Sequence, residues 1–181
     1  MPRFASRLVW VRRQSSSECN EVNGDKRVEA REICERLLRI TGEAMLANDF
    51  EAFAECFEIP HFIATSDNKA SIDTIEQFRD LFDRTIEDLR LKRITDLIRI
   101  CEVSEYRSPT QIGSTHTTHM MCGAQRVADP FPSFSTFELI DGDWKITSSQ
   151  YAVDKTLGIG AALNAQRANT PDKQIKVRNE K

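Results

Sequence analysis

The sequence predicts an α+β domain in which three N-terminal helices pack on a mainly antiparallel sheet. Through the first half, apolar residues recur at intervals of three and four positions, as in helices that bury one face. From Arg93 to Val153 the apolar period falls to two, which indicates four consecutive strands. The last two strands flank Asp141–Gly142, a pair suited to a tight turn with positive φ. A helical layer followed by a sheet of this kind also predicts a hollow between the layers.

The first two helices are predicted from apolar spacing and from the residues that end each pattern. A long helix is expected over Lys26–Ala47, with Asp25 as its N-cap because a carboxylate can accept from the free amides of the first turn. A second, shorter helix carries the aromatic residues from Phe50 to Phe57 on one side. This helix must end before Pro60, since proline disfavours helical geometry in the residue that precedes it.

A small hairpin and a third helix follow. Residues His61–Thr65 and Ala70–Ile72 flank the turn-forming residues Ser66–Lys69, so two short strands are the simplest interpretation. Asp73–Glu76 has the spacing of a capping box with the aspartate as cap. Apolar residues from Ile75 to Leu89 then recur at helical intervals, which predicts the third helix.

The four predicted strands run from residue 94 onwards. Ile94–Val103 is largely apolar on both faces, as expected of a strand covered by helices on one side and by a partner subunit on the other. The second strand is Gln111–Gly123, and residues 124–132 are predicted to be a loop. Phe134–Ile140 and Trp144–Val153 form the closing hairpin.

The length of 181 residues fits a single domain with extensions at both ends. We assign residues 25–154 to the domain, residues 1–24 to a flexible extension and residues 155–181 to a largely mobile one. The first seventeen residues hold four arginines and no acid, a bias shared by transit peptides and also found in flexible starts. Within the C-terminal extension, Gly158–Leu163 could form a short helix or extend a strand.

Composition and charge exclude several classes of function. With a net charge of −3 the chain has no basic stripe for phosphate neutralisation, so no nucleic-acid partner is expected. No apolar run approaches the roughly 20 residues of a membrane span, and a cytoplasmic protein is predicted. The cysteines are at least fifteen positions apart, which excludes a CxxC zinc knuckle and predicts reduced, mostly buried side chains. They are Cys19, Cys34, Cys56, Cys101 and Cys122.

The order of elements resembles that of the nuclear transport factor 2-like (NTF2-like) superfamily, with its SnoaL-like and ketosteroid-isomerase-like branches. The resemblance covers about Arg27–Val153 and rests also on Ala47–Phe50, Phe57–Pro60 and Asp141–Ile146. It implies a cone-shaped α+β barrel, in which a strongly bent sheet wraps around helices and encloses an apolar pocket. It also implies a homodimer formed through the outer face of the sheet.

Four residues, His116, His61, Tyr106 and Asp96, are the candidates for catalysis, and Tyr151 is a further residue that could assist them. A histidine in the pocket, His116 or His61, with a pKa near its usual value of about 6.5 could remove a proton α to a carbonyl. Tyr106, Tyr151 or Asp96 could then polarise the resulting enolate or orient the ring. The competing interpretation is structural: His61 would cap the end of the second helix or bond the backbone, and the strand histidines would be satisfied by neighbouring threonines.

The candidate ligand-binding residues are aromatic or apolar side chains that could line the pocket, although aromatic residues at helical spacing also serve as core. No metal is predicted, because His116 and His119 are three positions apart in a strand and point to opposite faces. Neither face of that strand is plainly the core. The ligand-binding candidates are Phe53, Phe57, Phe62, Phe82, Met120 and Tyr151.

The predicted function is that of a small-molecule-binding NTF2-like protein whose partner is a small apolar or aromatic ligand, with no cofactor. One alternative is a cofactor-independent lyase, isomerase or polyketide-cyclase-like enzyme that uses a pocket histidine as general acid or base. Another is a protein-docking module, because the same cone hosts enzymes, binders and docking proteins.

Overall fold

The structure, a computed structural model, describes residues 21–169, and the side chains of residues 30–165. Most of the predicted N-terminal extension and the end of the C-terminal one therefore lie outside the described residues, in 1–20 and 170–181. The helices are α1 (Glu21–Ala47), α2 (Phe50–Ala54), α3 (Ile75–Leu91) and α4 (Ile159–Asn169). The strands are β1 (Phe57–Ala64), β2 (Lys69–Ile72), β3 (Asp96–Ser108), β4 (Gln111–Cys122), β5 (Gln125–Arg126), β6 (Phe131–Ile140) and β7 (Asp143–Tyr151).

The helix α1 begins at Glu21, so the prediction of Asp25 as its N-cap is wrong and that residue lies inside the helix. Its inward residues, from Ala30 to Leu38, pack on β3. Ser104 of β3 donates a hydrogen bond of 2.9 Å to the carbonyl of Ala30, which ties the helix to the sheet. Burial of this stripe accounts for the helical spacing in the sequence.

The helix α2 is shorter than predicted. Asp49 caps it by accepting from the backbone N–H of Ala52 at 3.0 Å, and it ends at Ala54. Phe57, predicted as its last aromatic residue, instead begins β1, where it pairs with Ile146 of β7. The apolar residues keep a spacing of three and four positions from Phe50 to Phe57, which is typical of a helix. The backbone is nevertheless extended from Phe57 onwards, because β1 pairs with β7 in the sheet.

The third helix is confirmed, with a different cap. Thr74 is the N-cap and accepts from the backbone N–H of Gln77 at 3.3 Å. The Gln77 side chain accepts from the backbone N–H of Asp73 at 2.8 Å, so the reciprocal cap is shifted by one residue from the predicted one. Asp73 instead accepts from the Ser71 hydroxyl at 2.6 Å.

The sheet has the strand order β2-β1-β7-β6-β4-β3, with β5 paired to β4. The four predicted C-terminal strands are antiparallel neighbours, as expected, whereas β1 pairs with β7 in parallel. The predicted loop 124–132 is partly wrong, because it contains β5 and the start of β6. Asp141 and Gly142 both have positive φ, at 51° and 92°, which confirms the predicted turn.

The C-terminal part of the described chain forms α4, which settles the open choice for residues 158–163 in favour of a helix. Ala162 and Leu163 are buried in the same core as α3. The backbone N–H of Gly158 donates to the carboxylate of Asp88 in α3 at 2.7 Å. This segment therefore packs on the domain beyond the boundary predicted at residue 154.

Candidate functional site

A cavity of about 90 Å³ lies between the helices and the inner face of the sheet. Its helical wall is apolar and comes mainly from α1 and α3, whereas its sheet wall carries most of the polar side chains. Residues 157–159, just before and at the start of α4, close one end. The polar and ionisable lining residues include Thr41, His61, Arg99, His116, Ser149 and Tyr151.

The volume of the cavity limits its occupant. A buried water needs roughly 10–15 Å³, so the space exceeds that of a single water. Sites for drug-sized ligands span roughly 300–1,000 Å³, which is well above the 90 Å³ found here. With the side chains as they stand, the cavity fits a ligand about the size of one ring or a short chain.

A cluster of four phenylalanine rings forms one end of the cavity. Phe53 of α2 lies 4.6 Å from Phe57 and 4.9 Å from Phe82, measured between ring centroids. Phe78 of α3 packs against Phe53 at 5.5 Å and against Phe57 at 5.0 Å. Ring pairs at these distances are stabilising by about 0.5–1.5 kcal/mol beyond the burial of their area, so the four rings form one packed cluster.

His61 is completely buried within this aromatic cluster. Its ring meets Phe57 edge-on at 5.1 Å, and neither ring nitrogen has a hydrogen-bond partner of normal geometry. Burial lowers its pKa to about 4, and nearby backbone groups of Ile146 and Thr147 oppose part of that shift. The imidazole is therefore neutral at pH 7, and it does not cap α2 as one interpretation of the sequence held.

The strand β4 places His116 inside and His119 outside. His116 is 3% exposed and lines the cavity, and its Nδ1 has no hydrogen-bond partner. Burial, with a smaller contribution from the charge of Arg99, lowers its pKa to about 4. His119 pairs with Ile98 on the opposite face, where it is partly exposed. The expected pKa near 6.5 for a pocket histidine is thus wrong, because desolvation disfavours the imidazolium form.

Arg99 is the cavity residue that the sequence analysis missed. It lies on the inner face of β3, opposite Thr118, and its Nη2 donates to the carbonyl of Leu38 and, at 2.8 Å, to Oγ1 of Thr41. Its Nε is buried without a hydrogen-bond partner. Burial lowers the pKa of the guanidinium to about 10, so the group stays charged at neutral pH.

Two further polar side chains lie close to this centre. Tyr151 of β7 lines the cavity, and its burial raises the pKa of the phenol, which keeps it protonated. Ser133 is the register partner of both Tyr151 and His116, and its hydroxyl is buried without a hydrogen-bond partner. The sheet wall therefore holds several polar groups with unused hydrogen-bonding capacity.

Of the ligand-binding candidates, Phe53, Phe57, Phe82, Met120 and Tyr151 line the cavity. Phe62 does not line the cavity. It neighbours the buried Ile63 in β1, so its side chain lies on the opposite face of the strand, where it is 43% exposed.

Neither of the remaining catalytic candidates reaches the cavity. Tyr106 packs edge-on against Trp144 at 5.9 Å beyond the bulge of β3, and Asp96 is exposed at the start of that strand, where it accepts from Thr95. The predicted partnership of either residue with a pocket histidine is therefore wrong.

The cysteines in the described part of the chain are free. Cys34, Cys56 and Cys101 are buried and Cys122 is partly exposed, which matches the predicted reduced and mostly buried side chains.

Within residues 21–169, no group of three or more histidine, cysteine, aspartate or glutamate side chains could hold a metal ion. The helices of the same residues include none long and apolar enough to span a membrane.

The chain matches no family model and no curated protein, but it is similar in structure to several solved proteins. A cystatin-like domain of unknown function from Nostoc punctiforme superposes with a TM-score of 0.56 at 12% identity, over 81% of this chain and 90% of that one. An NTF2-like protein from Novosphingobium aromaticivorans gives 0.54 at 15% identity, over 75% and 89%. One of unknown function from Shewanella oneidensis gives 0.52 at 12% identity, over 67% and 98%. The chain therefore has the NTF2-like α+β fold, as the order of its elements predicts.

Proposed function

We propose that this NTF2-like protein binds a small organic molecule in the cavity between helices and sheet. The observation that carries the proposal is the buried Nδ1 of His116, which has no hydrogen-bond partner, together with the two ring nitrogens of His61, whose neighbouring backbone groups at Ile146 and Thr147 make no hydrogen bond of normal geometry. Buried polar groups in folded proteins are nearly always hydrogen-bonded, because an unpaired one costs about 1–3 kcal/mol. A ligand or ordered water with matching polar atoms would remove that cost.

The apolar surroundings define the rest of the ligand. The phenylalanine cluster and the leucines of α1 and α3 would cover an apolar or aromatic body. The polar groups of the sheet wall would bind its polar end. A small molecule with one apolar and one polar side fits both walls, in keeping with the general composition of ligand sites.

Nitrogen-15 spectra of the histidine side chains test this proposal directly. Titration with toluene, phenol and benzoate should shift the imidazole signals of His61 and His116, since both rings line the cavity. His119 on the outer face of β4 provides the matched control and should not respond. If no compound moves the two cavity signals, the cavity does not accept small organic molecules and the proposal fails.

The same histidines support a second candidate, a cofactor-independent lyase, isomerase or cyclase. His116 is neutral and has a free Nδ1 near the charge of Arg99, an arrangement in which a base and a cation could act on an enolisable ketone. A pKa of about 4 makes this imidazole a weak base, however, so binding is the function that the geometry supports best. Exchange of α-protons in deuterated water, lost on His116→Gln, would favour the enzyme.

We also propose that the protein forms a homodimer through the outer face of the sheet. Ile98, Ile100 and Val103 of β3 are exposed on that face, at 49%, 44% and 52%. Adjacent exposed apolar side chains are typical of interaction surfaces. A docked protein of another kind is the alternative occupant of this surface, and the mass of the complex distinguishes the two.

A further inference from the structure

The cavity contains one positive charge, and its position on β3 is well defined. Arg99 shares the inner face with Leu97 and Cys101, and its register partner Thr118 is two residues from His116 on β4. The side chain of Arg99 reaches from the sheet to α1, where its Nη2 donates hydrogen bonds to the carbonyl of Leu38 and the hydroxyl of Thr41. Its Nε is also buried and has no hydrogen-bond partner.

This charge has no counterion among the described side chains. The residues that line the cavity include no aspartate or glutamate, and none of the ion pairs found in residues 30–165 involves Arg99. A buried charge without a partner is costly, and its usual compensation is a nearby opposite charge with hydrogen bonds. The compensating group that the described side chains do not supply is an anion.

We propose that the ligand of the cavity is a small organic monoanion, an aromatic or short aliphatic carboxylate, with its carboxylate on Arg99 and His116. This inference rests on the proposed binding function and names its ligand class. One oxygen would accept from the Nε–H of Arg99, and the other from a ring N–H of the neutral His116. Such charge-assisted hydrogen bonds are about twice as strong as neutral ones.

The rest of the cavity favours a monoanion over a more highly charged ligand. One guanidinium balances one negative charge, and the opposite wall is built from phenylalanine and leucine side chains. The ring cluster of Phe53, Phe57, Phe78 and Phe82 would pack on the apolar body of the ligand. The volume of about 90 Å³ restricts that body to about one ring.

Calorimetric titration of the full chain with three compounds of the same shape tests the inference. Benzoate, neutral benzamide and cationic benzamidine differ mainly in charge at one end. We expect benzoate to bind at least about 10-fold more tightly than benzamide, with no binding of benzamidine. In Arg99→Met, which keeps an apolar side chain of similar length, benzoate should lose that preference and bind no more tightly than benzamide.

The outcomes separate this inference from the proposed function. If benzamide binds as tightly as benzoate to the wild-type chain, the cavity binds small molecules but the preference for an anion is overturned. If benzoate, benzamide, toluene and phenol all fail to bind, the proposed function itself fails. The wild-type chain gives an independent readout should Arg99→Met not fold. Benzoate should shift the Nε–H signal of Arg99, and an unchanged signal on saturation with benzoate would contradict the inference.

Discussion

Gly42 of α1 lies directly against the guanidinium of Arg99. A Cβ atom built at Gly42 would lie 2.7 Å from Nη2 of Arg99, closer than real Cβ contacts allow. The same Nη2 donates to the backbone carbonyl of Leu38, one turn earlier in α1, and to the hydroxyl of Thr41, the residue before Gly42. The absence of a side chain at position 42 is therefore what lets the arginine reach the backbone of α1.

This relationship predicts opposite effects of one substitution in two backgrounds. In an Arg99→Met background, Gly42→Ala should raise the free energy of unfolding by about 0.5–1 kcal/mol, because alanine is the better helix former. In the wild-type chain the added methyl group displaces the guanidinium from Leu38 and Thr41, and the net change should be a loss of about 1 kcal/mol. Urea denaturation of the four proteins measures both values, and an equal effect in the two backgrounds would contradict the contact.

Two buried serines of the sheet, Ser114 and Ser133, should respond differently to alanine. Ser114 contacts Cys34 Sγ at 2.9 Å and donates to the carbonyl of Val103 at 3.1 Å, so Ser114→Ala should cost about 1–3 kcal/mol. Ser133, equally buried, has no partner, and Ser133→Ala should be neutral or stabilising. Thermal and urea denaturation of both variants tests the pair, and a similar loss in each would contradict the assigned bonding.

The buried histidines should make stability fall in mild acid. Their pKa values of about 4 lie below the value near 6.5 expected in the unfolded chain, so unfolding takes up protons as the pH falls from 6.5 to about 4. Each residue should remove about 1.4 kcal/mol of stability between pH 7.5 and 5.5. In urea denaturation, His61→Phe and His116→Leu should each reduce the loss of unfolding free energy between pH 7.5 and 5.5 by that amount. A pH dependence unchanged in both variants would show that the rings are not buried as neutral groups.

The proposed dimer should depend on the outer face of β3. Ile100→Glu puts a charge on that face and should convert the protein to a monomer in sedimentation velocity experiments. Ile75→Glu, at an equally exposed site at the start of α3, is the control and should leave the mass unchanged. A wild-type protein that sediments as a monomer at high concentration would contradict the proposal.

Regular patterns in the sequence predicted most of the fold. The third helix, the hairpin at Asp141–Gly142 and the four antiparallel strands follow from local spacing and turn chemistry. The junction at Phe57 could not be predicted in the same way. Its strand exists because β7, some ninety residues later, provides hydrogen-bond partners, and apolar spacing carries no information about such a distant pairing.

The cavity was predicted less completely than the fold. Arg99 lies two positions from both Leu97 and Cys101, so the three side chains share one face of β3. This spacing could have indicated that the arginine points inward. Because Ile98 and Ile100 make the other face equally apolar, the sequence did not distinguish the inner face of β3 from the outer one. For the same reason the sequence could not fix the positions of Asp96 and Tyr106, and only the pairing with β4 and the bulge after Cys101 show where they lie.

The parallel pairing of β1 with β7 has a consequence for the order of events on the ribosome. Phe62 and Ile63 pair with Ser148 and Ser149, so the edge of β1 that faces β7 has no neighbour until almost the whole domain has been synthesised, although β2 can pair with the other edge early. Contacts between such distant segments form late, since the intervening chain must first be ordered. A nascent chain that stops before residue 143 would contain α1–α3 and β1–β6 but neither β7 nor α4, so its cavity would be incomplete and it would expose the phenylalanine cluster to chaperones.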